Sequence, residues 1–592
     1  MVIHKKMKGR LVRFFLIPAS LLIAAAGCSP RHGTVSIRLV GTSDVHGSIF
    51  DTDCLTGQER RGSLAKFSTF LNRQRKEFKH VVYLDAGDNL QGSVDVYQDV
   101  TAQLHRTSLP AQAFSILGCD ASVMGNHDFA VRVASYERFF RGAEYPILGA
   151  NACFEETGDY LPPYRMLNRG GVRIAVLGLT TPIAKYALPS DCVGDLDIRD
   201  VVETARHWVP YLKEEKNADV VIGLLHTGLQ NGRVLEDIGV YENSVRRLIS
   251  QVPGFNVILY GHDHQARCLK EVDCNGDSVL LLNPGEKVSR AVVATIDVVF
   301  DDKETPSVHT SGSLVDISDE EPDKGFMDKL SGWYEDVKHY ADSVVGTTSV
   351  LMEANGILWR NSTIMDYIHS IQLGYNGAQI SLASPLFAVP QAGSREISMR
   401  DLFSLCQGDN AMVSVMLKGS EVRDLLEYSA DMFYNTVSGG SEAMLKYRES
   451  SNGNKVPRRS ISSLITAAGI DYVIDVTQPN GKRVRILSLS DGKPFDPDSY
   501  YRTVISSALF SSTGSALLRT TGMTLTDIQK RLNGSSAADL RYYMITDLSL
   551  RKEMDMAVKV KPVSTWKLVP ENIVSACLAN DTVNFNIMNQ VR

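Results

Sequence analysis

The sequence predicts a layered α/β domain joined through one long helix to a second α/β unit, and three observations carry this reading. Short runs rich in Val and Ile, at residues 35–40, 81–84, 173–179, 220–225 and 256–260, alternate with helical or loop segments. This is the pattern of buried strands in a sheet covered on both faces. An acidic, polar stretch at 301–323 closes that pattern. Apolar residues then recur every three or four positions, at Phe326, Met327, Leu330, Trp333, Tyr334, Val337 and Tyr340, which predicts one amphipathic connecting helix.

Taken in chain order, the first segment reads as an export signal. Lys5, Lys6, Lys8, Arg10 and Arg13 precede an apolar run at 14–26 that ends in Ala25-Ala26-Gly27-Cys28. The run is too short for a membrane span and has small residues at a cleavage point. It resembles a bacterial lipoprotein lipobox, which implies that residues 1–27 are removed, that Cys28 carries lipid, and that the body of the chain lies in the cell envelope, facing the periplasm. The domain expected at 34–320 comes next, with helix-like spacing at 62–78 and 245–250 between its strands. The linker is expected at 321–349. The second unit, at 350–592, has predicted helices at 362–373 and 421–432, a strand at 412–417, and strands at 472–476 and 483–487 around a Pro-Asn-Gly turn. Among the cysteines, Cys268 and Cys274 are spaced to close a short hairpin, and no C-x-x-C is present.

Composition narrows the function. Hydrophobic residues make up 44% and charged residues 22% of the 592, and 62 basic against 68 acidic side chains leave a net charge of −6. A nucleic-acid polymer as partner would call for a basic excess, so none is expected.

The residues just beyond each strand are more informative. The predicted strands run into Asp44-Val-His46, Asp85-Ala-Gly-Asp88-Asn89, Gly125-Asn126-His127-Asp128, His226-Thr-Gly and Gly261-His262-Asp263-His264. Ligands of open α/β sheets bind at the carboxyl ends of the strands. Imidazole, carboxylate and amide oxygen without thiolate suit Mn, Zn, Fe or Co rather than a structural zinc. Asp44, His46, Asp88, Asn126, His226, His262 and His264 together make a set sized for two divalent ions sharing one carboxylate, an arrangement that serves in-line displacement at phosphorus. His127 is left over as an imidazole able to protonate a leaving alkoxide.

These motifs, in this order, resemble the calcineurin-like metallophosphoesterase family, and residues 35–300 resemble the catalytic domain of the exported 5′-nucleotidases. The resemblance implies a four-layer α/β/β/α domain. It also implies one metal on Asp44, His46, Asp88 and His264 and a second on Asp88, Asn126, His226 and His262, with His127 acting in the transition state. One departure stands out. Ala130 occupies the place where an Asp partner for His127 is found in several exported nucleotidases, which leaves Asp128, another carboxylate, or no partner at all.

The second half, through residues 418–434 and 471–479, resembles the C-terminal nucleotidase domain and is closest to the branch with 2′,3′-cyclic-nucleotide phosphodiesterase and 3′-nucleotidase activity. That domain supplies rings that sandwich a nucleobase. The candidates here are Phe433, Tyr434 and Phe510, with Arg395 for phosphate or ribose. The expected activity is phosphate release from a nucleotide. A phosphatase of the same fold acting on another phosphoester and a non-catalytic envelope binding protein are the alternatives.

Overall fold

The computed structural model describes residues 32–585, apart from short stretches at 103–105, 155–157, 189–192, 194, 236–237, 302–304, 355, 387–394, 409, 440–441, 450–452, 454, 508, 510–515 and 564. Cys28 and Phe510 therefore lie outside the described residues.

The first half builds two six-stranded sheets. In chain order the strands are β1 (Gly33–Thr42), β2 (Val81–Asp85), β3 (Ala121–Val123), β4 (Ile147–Leu148), β5 (Tyr164–Arg169), β6 (Val172–Thr180), β7 (Val220–His226), β8 (Val257–Tyr260), β9 (Arg267–Val272), β10 (Ser278–Asn283), β11 (Arg290–Phe300) and β12 (Ser307–Asp316). One sheet has the order β12-β11-β1-β2-β3-β4 and the other β9-β10-β8-β7-β6-β5. The run β1-β2-β3-β4 is parallel, as are the pairs β6-β7, β7-β8 and β8-β10.

Alternation along the strands explains the layering. In β7, Val220, Ile222 and Leu224 join Ile37, Leu39, Val82 and Leu84 in a core between the sheets. Val221 and Leu225 face the other way and pack with Val201, Val202, Ala205 and Val209 of helix α5 (Val201–Glu214). The first sheet's outer face is covered by α1 (Leu64–Glu77), α2 (Val94–Ala102), α3 (Leu109–Leu117) and α4 (Val133–Gly142). This is a four-layer α/β/β/α domain, with every predicted site strand internal and parallel, so that their carboxyl ends open on one edge.

The connecting helix is α6 (Lys324–Asp342), begun by Asp323, whose carboxylate accepts from the Gly325 and Phe326 N–H groups. Phe326, Leu330 and Val337 are buried against the first domain, with Met327, Trp333, Tyr334 and Tyr340 partly covered. The predicted stripe is thus a docked face rather than a free linker.

The second half contains α7 (Thr363–Leu373), α8 (Met399–Leu405), α9 (Gly419–Phe433) and α10 (Leu540–Glu553). These surround a sheet ordered β15-β13-β16-β14-β17, formed by β13 (Ile380–Ala383), β14 (Ala411–Lys418), β15 (Thr466–Ala468), β16 (Tyr500–Ser506) and β17 (Leu532–Asp539). The expected strands at 472–476 and 483–487 pair as an antiparallel hairpin. Among the described residues no helix is long and apolar enough to cross a membrane.

The expected Cys268–Cys274 closure does not form. Both are free thiols. Cys268 lies in β9 opposite Leu282, and the extended chain beyond it, at about 3.3 Å per residue, carries Cys274 into a turn that Asp273 organises by accepting from the Asn275 and Asp277 N–H groups.

Candidate metal centre

The loops after β1, β2, β3 and β8 and the last residue of β7 meet on the edge between the two sheets. Asp44, His46, Asp88 and His264 offer ligand atoms that all lie within 4.8 Å of one another. His226 joins them through Asp88, with Nε2 3.1 Å from Oδ2. His262 joins through Asn126, with Nδ1 2.7 Å from Oδ1, and its ring lies 5.3 Å from that of His226. The sequence-predicted seven therefore form one continuous cluster.

The backbone is shaped for this. Among the described residues eleven non-glycine positions have positive φ, and five of them are Asp44, His46, Asp88, His262 and His264. Such conformations are unfavourable for ordinary side chains and persist only where the surroundings enforce them. Two glycines allow the loops to close. A Cβ at Gly125 would sit 2.0 Å from Asp88 Oδ1, and one at Gly261 would sit 1.9 Å from Ser43 Oγ and 2.5 Å from Asp44 Oδ2.

Beneath the loops runs a polar row across the strands. Thr42 pairs with Asp85 and Asp85 with Ser122 in the registers of β1-β2 and β2-β3. Both hydroxyls donate to the Asp85 carboxylate, at 2.8 and 2.9 Å, as does the Asn89 amide at 2.7 Å.

The ligand atoms face one another in pairs. His226 Nδ1–H donates to the Ala86 carbonyl at 2.7 Å, so Nε2 is the nitrogen that faces the Asp88 carboxylate. His46 Nδ1–H donates to the Gln91 carbonyl at 3.0 Å, and its Nε2 faces His264 Nε2 at 3.1 Å. His262 Nε2–H donates to Glu242 Oε1 at 3.2 Å, and its Nδ1 faces the Asn126 carbonyl oxygen. In each case an acceptor holds one ring nitrogen and fixes the ring's orientation, and the other nitrogen is turned into the cluster, toward Asp88, His264 or Asn126. Asp88 Oδ2 and His226 Nε2 are both buried with no directed hydrogen-bond partner.

Burial works against charge at these groups, yet Asp88 lifts the His226 imidazole to about 10, so the proton that pairs Nε2 with Asp88 is the one a cation would displace. Burial likewise opposes ionisation of Asp88, but His226 and the other imidazoles hold it well below the usual carboxylate range. Separations of 2.7–3.4 Å between facing donors match two ligands sharing one ion, since bonds of about 2.1 Å at right angles put ligand atoms about 3 Å apart. The residues present fit two divalent cations.

Comparison with known proteins agrees. Residues 37–266 match the calcineurin-like phosphoesterase family, and residues 344–518 match the 5′-nucleotidase C-terminal domain. The chain is a calcineurin-like phosphoesterase with a 5′-nucleotidase C-terminal domain. The phosphoesterase is similar to a 2′,3′-cyclic-nucleotide 2′-phosphodiesterase/3′-nucleotidase of Yersinia enterocolitica, 24% identical over 81% of each chain. It is also similar to the trifunctional nucleotide phosphoesterase protein YfkN of Bacillus subtilis, 23% identical over 96% of this chain, which spans 42% of that protein's length. Its fold is that of a Staphylococcus aureus structure assigned as a 5′-nucleotidase, with a TM-score of 0.66 and 18% identity over 90% of this chain and all of the other. It is a metal-dependent phosphoester hydrolase of the nucleotidase type, using two divalent ions.

Several expected roles change with the geometry. Asp128 does not accompany the His127 ring. Fully buried, it accepts from the N–H groups of Asp88, Asn89, Leu90 and Gly125 at 2.6–2.9 Å, so it anchors the Asp88 loop to the turn bearing Asn126. The half-buried His127 instead directs Nδ1 to Gln91 Oε1 at 2.7 Å. Phe433 and Tyr434 are 1% and 0% exposed, and the Tyr434 hydroxyl donates to the Leu358 carbonyl at 2.6 Å. The inward face of α9 fills the second domain's core with both rings, and no base can stack on them. Arg395 is exposed, with its carbonyl accepting from Thr348 N–H.

Gln91 and Glu242 escaped the sequence reading. Gln91 carried a local signal, three residues beyond Asp88 in a Gly-rich loop. Glu242, which also accepts from the Arg233 guanidinium at 2.7 Å, carried none. A small open cleft lies between the domains beside Gln91. Tyr97, Ala130 and Arg132 face Asp539 and Tyr542 across it. Tyr97 donates to Asp539 Oδ1 at 3.1 Å, and the Arg132 guanidinium lies 4.8 Å from the centre of the Tyr542 ring.

Proposed function

We propose that the phosphoesterase releases phosphate from nucleotides, with 2′,3′-cyclic and 3′-nucleotides as its first substrates and 5′-nucleotides as the next. The observation that carries this reading is the set of imidazole, carboxylate and amide donors that face one another at the strand ends at separations suited to a shared cation. Asp44, His46, Asp88 and His264 would hold one ion, and Asp88, Asn126, His226 and His262 the other. Bound there, two divalent ions supply Lewis acidity to the phosphoryl oxygens and lower the pKa of a water for in-line attack. The chain's own part is to orient the imidazoles through Ala86, Gln91 and Glu242 and to deliver a proton from His127 Nε2 to the departing oxygen. The interdomain cleft beside His127's partner Gln91 would receive the nucleoside, with Tyr542 and Arg132 as its aromatic and cationic surfaces. We also place the enzyme in the cell envelope, tethered by lipid on Cys28, on the strength of the charged, apolar and small-residue order of the first 28 residues.

The burial of Phe433 and Tyr434 favours a second reading, a phosphatase of the same fold acting on a non-nucleotide phosphoester. Assays of purified protein with 3′-AMP, 5′-AMP, 2′,3′-cyclic AMP and p-nitrophenyl phosphate, with and without Mn²⁺, separate the two. Metal-dependent release from a nucleotide is expected. Turnover of p-nitrophenyl phosphate alone selects the second reading. Cys28→Ser should move the protein out of the membrane fraction, and unchanged fractionation rejects the anchor.

A further inference from the structure

We infer that Gln91 is the positioning residue for the His127 imidazole, a neutral amide doing what a carboxylate partner would otherwise do. The inference rests on His127 being the proton donor of the proposed reaction. Three observations converge on it. The carboxylate next to His127 in sequence, Asp128, is committed to four backbone N–H groups. Ala130, at the position where an aspartate partner is expected, has only a methyl group. The His127 ring instead meets Gln91 Oε1 at 2.7 Å.

The chemistry of the contact defines the proton's position. An amide oxygen only accepts, so His127 Nδ1 keeps its hydrogen and Nε2 is the nitrogen that exchanges one. As the ester P–O bond breaks, the Nε2 proton passes to the leaving oxygen. The ring is left neutral, with Nδ1–H still on Gln91. The amide also adds no negative charge to a pocket that already buries Asp44 and Asp88.

The loop holds Gln91 firmly. Its backbone carbonyl accepts from His46 Nδ1–H at 3.0 Å, so one residue orients two imidazoles whose rings lie 5.3 Å apart. The adjacent Gly92 has φ +119°, and a Cβ there would lie 2.6 Å from His46 Cβ, so the loop backbone lies directly against His46. The division of labour is testable because the metal ligand is held by Gln91's backbone and the proton donor by its side chain.

The experiment compares full-length, Mn²⁺-loaded wild type with Gln91→Met, which keeps the size and loses the amide acceptor, and Gln91→Glu, which keeps an acceptor. The substrates are aryl phosphates of graded leaving-group acidity, from phenyl phosphate to p-nitrophenyl phosphate, with bound metal counted for each protein. Gln91→Met should lose about 10- to 100-fold in kcat/KM on phenyl phosphate, the usual size for an orienting partner of an imidazole. It should change little on p-nitrophenyl phosphate and should still hold two ions. Gln91→Glu should recover most of the loss. Equal losses across the series, metal loss that tracks the activity loss, or a Gln91→Glu as impaired as Gln91→Met would each overturn the proposal. Because aryl phosphates contain no nucleoside, a wild type that cleaves them but no nucleotide rejects the nucleotidase reading separately.

Discussion

Asp85 lies under the metal loops, 0% exposed and ringed by Thr42, Ser122 and Asn89. Burial pushes its carboxyl up to about 7, whereas an unfolded aspartate titrates near about 4. Between those values the folded protein holds a proton that the unfolded chain has released, so stability falls as pH rises through the window. Denaturant midpoints measured from pH 4 to pH 8 should show that decline, and Asp85→Asn should flatten it. Glu242 bears on the candidate metal site through His262. Its carboxylate anchors His262 Nε2–H and is held below the usual range, against burial, by His262 and Arg233. Glu242→Gln should lower metal affinity by about 10- to 100-fold, read by titrating Mn²⁺ into the stripped protein.

At the scale of elements, the parallel strands end at the same level and their loops turn at once into strained backbone. Five ligand candidates with positive φ must be held by their surroundings, and bound cations are part of that support. Chelation should therefore reduce stability. A ligand present at 100 times its Kd contributes about 2.7 kcal/mol, so the melting temperature should fall with EDTA and return with Mn²⁺. The loops also demand close approach. Gly125→Ala places a methyl 2.0 Å from Asp88 Oδ1 and should abolish metal binding while the strands, whose cores lie elsewhere, keep their circular dichroism spectrum.

At the scale of the molecule, two domains share one cleft. Helix α6 is docked on the first domain, and Arg541 of α10 lies over Tyr97 and Phe403 from both sides of the junction. The second domain thereby brings Asp539 and Tyr542 to face Gln91 and Arg132. If the cleft takes the nucleoside, Arg132→Ala should raise KM for nucleotides severalfold and leave kcat/KM for p-nitrophenyl phosphate near wild type. Steady-state kinetics on both substrates check this, and a uniform loss would place Arg132 in the framework instead.

The amino-acid sequence by itself determined the strands that lead to the site, the order of their loops and all seven ligand candidates, but not β12, which crosses the polar stretch at 301–323 read as the end of the domain. The reason is local. Buried parallel strands need continuous apolar runs, and the loop that each run delivers to the active edge is written in the next few residues. The inward stripe of α6 was legible on the same terms, through its period. Tertiary structure alone decided the partners. Asp128 and Gln91 sit within a few residues of His127 and Asp88 respectively, yet which of them meets the His127 ring depends on how two loops cross. Glu242 reaches His262 across 20 positions with no periodic signal. Phe433 and Tyr434 end an amphipathic helix whose rings would suit a core or a cleft equally well, and only the packing of α9 turned them inward. Ligands are specified by their distance from a strand end, whereas the groups that orient them are specified by contacts between segments remote in sequence.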